Sequence, residues 1–189
     1  MSQFFGLRVS NMGQDQDAGG PQIILETERL VLRYLQAGDI DFLVGLWSDP
    51  AATRYLSGQR DPDWLRKVFT DTAANPQVEK YDLWPVVEKA SGRLVGHCGL
   101  LDKDIEGQIE IELNCMFSPS AWGKGYAVEI GRGLVTYAFE ALGLRHLIAL
   151  IEPDNAASVR VAEKLGLRLE RETIRPGGAR RLLYALERD

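Results

Sequence analysis

Apolar and polar residues alternate along QIEIELNCMF, residues 108–117. A period of two predicts a half-buried strand, and it puts Glu110 and Glu112 on the same face. Two more strands are predicted before it, over 81–90 and 93–101. Only short turns separate the three, so they are expected to pair as antiparallel hairpins.

A period of three to four predicts a helix over 124–142, with an apolar stripe that runs its whole length. Further helices are predicted over residues 37–49, 61–74 and 155–166. Asp39 is well placed to cap the first of these, and Pro62 suits the first position of the second. Asn75-Pro76 and Gly166 are expected to end the second and third.

Strands over 29–35 and 145–153 and a hairpin over 167–187 complete the pattern. The predicted order is strand, two helices, three antiparallel strands, helix, strand, helix and hairpin. This order indicates an α+β fold, a mixed sheet with helices against it. Residues 1–22 show no sustained period and are expected to be a mobile arm, which leaves 23–189 as one domain.

Composition narrows the classes of partner. The 189 residues carry a net charge of −5, which argues against bulk affinity for nucleic acid or anionic lipid. A membrane span and a signal peptide are not expected, and the protein is predicted to be cytoplasmic. Cys98 and Cys115 are expected to be reduced thiols, and His97 and His146 stand alone, so no metal site is expected.

The segment SPSAWGKGYAVE, residues 118–129, places Gly123 and Gly125 at a strand-to-helix junction. Glycines there let backbone N–H groups approach an anion at the helix start, although a tight loop with positive φ would also require them. The segment is not a P-loop, and Val128 stands where a dinucleotide-binding fingerprint needs its third glycine.

Three segments together resemble the GNAT acetyltransferase superfamily, especially its ribosomal-protein N-acetyltransferase branch (RimJ/RimL-like). SAWGKGYAVE is similar to the acetyl-CoA signature [Q/R]-x-x-G-x-[G/A], LETERLVLRYLQAGDID (25–41) to the branch's opening strand and helix, and NAASVRVAEKLGLRLE (155–170) to a later helix segment. The resemblance covers residues 23–188. Ser120 replaces the first signature residue, and Ala162 stands where many members have a tyrosine acid.

The resemblance implies the GNAT fold: a mixed, mostly antiparallel sheet with helices on both faces and a splayed strand pair, 108–117 and 145–152. It implies acetyl-CoA as the acetyl donor, without metal, with its pantetheine arm between the splayed strands. Backbone groups of Cys115, Met116 and Phe117 would then pair with pantetheine. The pyrophosphate would meet the amides of Trp122, Gly123, Lys124, Gly125, Tyr126 and Ala127, and Asn155 would lie beside the cofactor arm.

Glu112 is the expected general base, directly or through water, because it lies on the strand face toward the acceptor and nearer the notch than Glu110. Ser158 could protonate the leaving thiolate or cap the following helix, and Tyr184 is another conceivable acid. A covalent acetyl-enzyme at Cys115 is disfavoured, because no histidine or aspartate neighbour at suitable spacing activates it.

The predicted function is direct transfer of acetyl from acetyl-CoA to a primary amine, either a protein N-terminus or a small molecule. A catalytically degenerate module that senses acyl-CoA is the alternative, and a nucleotide-dependent oxidoreductase is a third class. The amine acceptor is the expected partner, and a homodimer is left open.

Overall fold

The computed structural model describes residues 8–9, 22–56, 58–74 and 80–188. Its strands form one sheet in the order β1-β2-β3-β4-β5-β6-β7-β9-β8. They are β1 (Arg8–Val9), β2 (Ile23–Glu26), β3 (Leu30–Arg33), β4 (Leu83–Glu88), β5 (Arg93–Ile105), β6 (Gln108–Phe117), β7 (His146–Ile151), β8 (Arg168–Ile174) and β9 (Arg180–Glu187). Neighbouring strands are antiparallel except for β6 and β7, which are parallel.

Helices cover both faces of this sheet. They are α1 (Ile40–Ser48), α2 (Pro62–Ala74), α3 (Tyr126–Thr136), which a π turn extends over Tyr137–Ala141, and α4 (Ala156–Lys164). Residues on β5 show the division, since Cys98 belongs to the core beneath α3 while the ring of its neighbour His97 meets Trp47 of α1 and Phe69 of α2. The GNAT fold expected from the sequence is therefore confirmed, with α1 and α2 opposite α3.

The main core fills the space between α3 and the central strands. Fully buried side chains there include Leu30, Leu32, Leu100, Ile130 and Leu134. Close packing also fixes α3 against the end of α4, because a Cβ at Gly131 would lie 2.6 Å from Cδ1 of Leu165. This contact holds the two helices together on one side of the β6–β7 pair.

Asp39 caps the first turn of the helix predicted over 37–49: a 3₁₀ turn over Ala37–Asp39 precedes α1, and the Asp39 carboxylate accepts the Gln36 backbone N–H at 2.8 Å in a capping box. The same carboxylate pairs with Arg33 at 2.6 Å and makes no capping hydrogen bond to α1 itself. The structure corrects two other local predictions. The third helix begins at Tyr126, not Lys124, since Gly125 at φ 81° cannot continue it. Within the predicted arm, Arg8–Val9 pair with β2, and its other residues up to 21 lie outside the described part.

The remaining elements follow the predicted pattern with shifted ends. β5 runs to Ile105, so a two-residue turn at Glu106-Gly107 joins it to β6. α2 begins at Pro62 as expected, whereas its predicted stop at Asn75-Pro76 lies outside the described residues. The sequence pattern also missed β2, which pairs with β3 at the start of the domain.

Candidate active site

A cleft opens where β6 and β7 separate. Glu112 and Ile148 are their one register pair among the described residues, so the two strands diverge on leaving this point. The cleft encloses about 110 Å³. It is lined by residues 112–115 of β6, 149–152 at the end of β7, Ala127 of α3, residues 155, 158, 161, 162 and 165 at α4, Leu167, and Tyr55 and Leu56 from the loop after α1.

Glu112 lies at the closed end of this cleft. Its side chain is almost completely buried, with 6% of the residue exposed, and the Lys103 Nζ lies 3.9 Å from its carboxylate. Burial raises the pKa of Glu112, although Lys103, the Leu150 backbone N–H, Arg175 and Arg181 oppose this shift. A carboxylate with a raised pKa is a better proton acceptor from an ammonium group than an exposed one.

Glu110, the other carboxylate on this strand face, is engaged elsewhere. Its Oε2 lies 2.8 Å from Nδ1 of His146 at the start of β7. It is not among the cleft-lining residues of the described chain. The two glutamates share a strand face, but only Glu112 reaches the cleft.

Asn155 and Ser158 meet at the start of α4, and both line the cleft. The Asn155 Oδ1 accepts the Ser158 backbone N–H at 3.1 Å, so the helix is capped by Asn155. The alternative role for Ser158, capping this helix, is therefore wrong. The Ser158 hydroxyl has no hydrogen-bond partner among the residues with assigned positions, which leaves its proton available to the cleft.

The turn before α3 has the backbone of an anion cradle. Gly123 and Gly125 adopt φ of 75° and 81°, in the left-handed region that side chains strain. No heavy atom lies within 4 Å of a Cβ built at Gly123, so space remains above the turn. The first N–H groups of α3 have no partner within the helix, and its dipole favours negative charge there. A tight loop with positive φ and an anion site both require glycine at positions 123 and 125, so the two explanations of these glycines are compatible.

Side chains around this turn are held in place. The Trp122 indole is half exposed, and its Nε1 donates to the Phe117 carbonyl at 2.8 Å. That carbonyl is therefore less available to a pantetheine arm than the sequence suggested. The Lys124 Nζ lies 3.8 Å from Glu88, which also accepts a hydrogen bond from the Tyr126 hydroxyl.

The residues predicted for the site fall into two groups. Glu112, Cys115, Ala127, Asn155 and Ser158 line the cleft. Outside its lining are Met116, Phe117, Trp122, Gly123, Lys124, Gly125 and Tyr126. Met116 and Phe117 are buried, whereas residues 122–125 are exposed beside the start of α3.

The surroundings of Cys115 and Tyr184 do not support a chemical role for either side chain. Cys115 is in register with Cys98 of β5, both are free thiols, and burial raises the pKa of Cys98 well above its ordinary value. Cys98 is therefore a neutral thiol beside Cys115. Tyr184 is buried in a cluster with Ala149 and Leu167 and does not line the cleft, which removes it as the acid.

Sequence reasoning missed part of the cleft. Tyr55 and Leu56 reach it from the loop after α1, and Asn114 and Glu152 line it from β6 and the residue after β7. The loop carries no recognisable motif, whereas the strand alternation could have suggested Asn114, which shares its face with Glu112. Among the described residues, no helix is long and apolar enough to cross a membrane, and no cluster of three metal-binding side chains occurs.

Comparisons with known proteins agree with this architecture. Residues 29–168 match the model of the acetyltransferase (GNAT) domain. The chain is 36% identical to the protein YkkB of Bacillus subtilis (strain 168) over 76% of this chain and 84% of that protein. It is 30% identical to the uncharacterized N-acetyltransferase p20 of Bacillus licheniformis over 77% of this chain and 83% of that protein.

A solved acetyltransferase from Agrobacterium tumefaciens str. C58 superposes with a TM-score of 0.73 at 26% identity, over 93% of this chain and 100% of that chain. The family match spans the strands of the cleft, the glycine turn and the start of α4. The chain therefore belongs to the GNAT family and is an N-acetyltransferase.

Proposed function

We propose that this enzyme transfers the acetyl group of acetyl-CoA directly to a primary amine. One arrangement carries the proposal: a cleft between splayed strands has a buried carboxylate at its closed end and an anion cradle at the adjoining helix start. A cleft flanked in this way suits a donor with a thioester at one end of a pantetheine arm and a pyrophosphate at the other.

The residues present fit such a donor. The amides of 123–127 would hold the pyrophosphate, because left-handed Gly123 leaves the approach open, whereas the Trp122 N–H already donates to the Pro119 carbonyl at 3.2 Å. Backbone groups of 115–117, apart from the Phe117 carbonyl that the Trp122 indole occupies, and the side chain of Asn155 would bind the pantetheine arm. Acetyl-CoA would supply an activated acetyl thioester, and the protein's own contribution would be to position it and to move protons.

Glu112 would accept the proton of the amine, directly or through water. At pH 7, deprotonation costs about 1 kcal/mol for an α-amine of pKa near 7.8 and about 4.6 kcal/mol for a lysine near 10.4. A buried base with a raised pKa lessens this cost. Ser158 would return a proton to the leaving thiolate, since it lines the same cleft as Glu112.

The resemblance to the RimJ/RimL-like branch favours a protein N-terminus as acceptor, with a small-molecule amine as the other class. We take residues 23–189 as the catalytic domain and place the enzyme in the cytoplasm, where the free thiols Cys98 and Cys115 would stay reduced. A homodimer is the assembly to test. A sensor that binds acyl-CoA without turnover is the second candidate, because Ala162 replaces a tyrosine acid common in the superfamily.

An acceptor screen scored by release of CoA thiol tests the proposal. The panel contains peptides with a free N-terminus, matched N-blocked lysine peptides, and small primary amines. We expect thiol release that depends on at least one amine and saturates with acetyl-CoA. Tight binding of acetyl-CoA with no amine-dependent release across the panel would favour the sensor.

A further inference from the structure

A negatively charged side chain lies beside the proposed pyrophosphate site at the start of α3. Glu129 is in the first turn of α3, and its side chain is only 17% exposed. Burial alone would raise the pKa of Glu129, but hydrogen bonds from Thr27 and Arg29 outweigh it and lower the pKa, so the group is ionised. The helix dipole stabilises the negative charge of Glu129, but this charge also repels a pyrophosphate bound at the same end of the helix.

Arg29, one hundred residues earlier, cancels this charge. Its Nε donates to the Glu129 Oε2 at 2.7 Å and its NH2 lies 2.6 Å from the same oxygen. The backbone N–H of Arg29 and the hydroxyl of Thr27 donate to the other oxygen at 2.8 and 2.7 Å. Both carboxylate oxygens are thus occupied by donors from the turn between β2 and β3.

The same guanidinium reaches the glycine turn. NH1 of Arg29 donates to the Lys124 carbonyl at 3.1 Å, between the two left-handed glycines. Its Cζ lies 4.7 Å from the centre of the Tyr126 ring, and NH2 lies 3.6 Å from where a Cβ at Gly125 would be. Arg29 therefore touches both the acid in the helix and the backbone of the turn.

We propose that Arg29 is a positioning residue for the acetyl-CoA pyrophosphate, and that it acts mainly by neutralising the Glu129 carboxylate, with its hydrogen bond to the Lys124 carbonyl making a smaller contribution. The inference rests on the proposed function, since it presumes that an anionic donor binds this cradle. It gives the opening TER segment, residues 27–29, a role in donor binding as well as in the sheet.

The test compares Arg29→Gln, Glu129→Gln and the double variant, measuring acetyl-CoA binding by calorimetry and turnover by thiol release. Arg29→Gln should weaken binding and raise the KM for acetyl-CoA about tenfold while kcat stays near wild type, because Glu129 is left uncompensated. Added salt should reduce the difference in affinity between wild type and Arg29→Gln, because it screens the repulsion between Glu129 and the pyrophosphate. Glu129→Gln should bind acetyl-CoA at least as well as wild type.

The double variant decides the mechanism. Because the proposed main effect is cancellation of the Glu129 charge, removing Glu129 as well should restore most of the affinity that Arg29→Gln loses. Arg66→Gln serves as the matched control, since Arg66 forms an exposed ion pair with Asp41 at 2.7 Å on the first two helices. It should leave acetyl-CoA binding unchanged.

Two results would overturn the inference while wild type still binds acetyl-CoA. One is unchanged affinity in Arg29→Gln, and the other is a double variant as weak as Arg29→Gln. Wild-type protein that neither binds acetyl-CoA nor releases thiol would instead overturn the proposed function itself.

Discussion

Replacing Glu112 by glutamine removes the proposed base with almost no change of shape. The amide oxygen can still accept the Leu150 backbone N–H that the carboxylate accepts. General-base assistance is typically worth about 10² to 10⁴ in rate. For an α-amine acceptor, whose deprotonation at pH 7 costs about 1 kcal/mol, we expect a loss of about 10²-fold or less. A lysine acceptor, at about 4.6 kcal/mol, should show a deeper loss.

The same substitution should stabilise the fold. Because burial raises the pKa of Glu112, the folded protein binds this proton more tightly than the unfolded chain does. Stability from this group is therefore complete below its unfolded pKa and is lost as the pH rises through the folded pKa. Glutamine should accordingly raise the free energy of unfolding at pH 7, and the gain over wild type should shrink as the pH falls below the raised pKa.

Turnover would be measured from pH 6 to 9.5 at saturating acetyl-CoA, with a free N-terminal peptide and a matched N-blocked lysine peptide, alongside urea unfolding. Higher pH should restore much of the rate of Glu112→Gln. Glu110→Gln is the control, since its carboxylate bonds to His146 outside the cleft, and it should keep nearly the wild-type rate. A wild-type rate for Glu112→Gln across the whole range would refute Glu112 as the base.

Three further predictions concern the glycine turn, the start of α4 and the buried His97. Gly125→Val should weaken acetyl-CoA binding by at least about tenfold in calorimetry, because valine strains the left-handed φ and obstructs the anion; unchanged affinity would exclude the cradle. Ser158→Ala should lower turnover with an unchanged melting temperature, whereas Asn155→Ala, which removes the helix cap, should lower the free energy of unfolding by about 1 kcal/mol. A lower melting temperature with full turnover in Ser158→Ala, and unchanged stability in Asn155→Ala, would contradict these roles. Burial lowers the pKa of His97 to about 4, so the folded protein binds this proton more weakly than the unfolded chain does. The resulting stabilisation of the fold, up to about 3 kcal/mol, should be fully present above pH 6.5 and should be lost as the pH falls towards 4. Urea titrations should show this loss in wild type and not in His97→Gln.

Local patterns predicted most of the architecture. The alternation in β6 and the apolar stripe of α3 are properties of neighbouring residues, so period and turn chemistry suffice to place them. The glycine turn was also visible, since left-handed backbone needs residues without a Cβ.

Contacts between segments that are distant in the chain could not be predicted from the sequence. Arg29 and Glu129 meet across one hundred residues. Tyr55 joins the cleft from a loop whose composition is typical of many loops. Tertiary packing decides these contacts, and one sequence carries no local signal for them.

Direct acetyl transfer can be tested in a single-turnover experiment with isotopically labelled acetyl-CoA. The enzyme is mixed with labelled donor, first without and then with an amine that the screen has identified, and thiol and labelled acetyl-amine are quantified together. We predict no thiol release and no labelled protein before the amine is added, then thiol and acetyl-amine in equal amounts. Thiol release with label on Cys115 before the amine arrives, or no acetyl-amine at all, would contradict direct transfer.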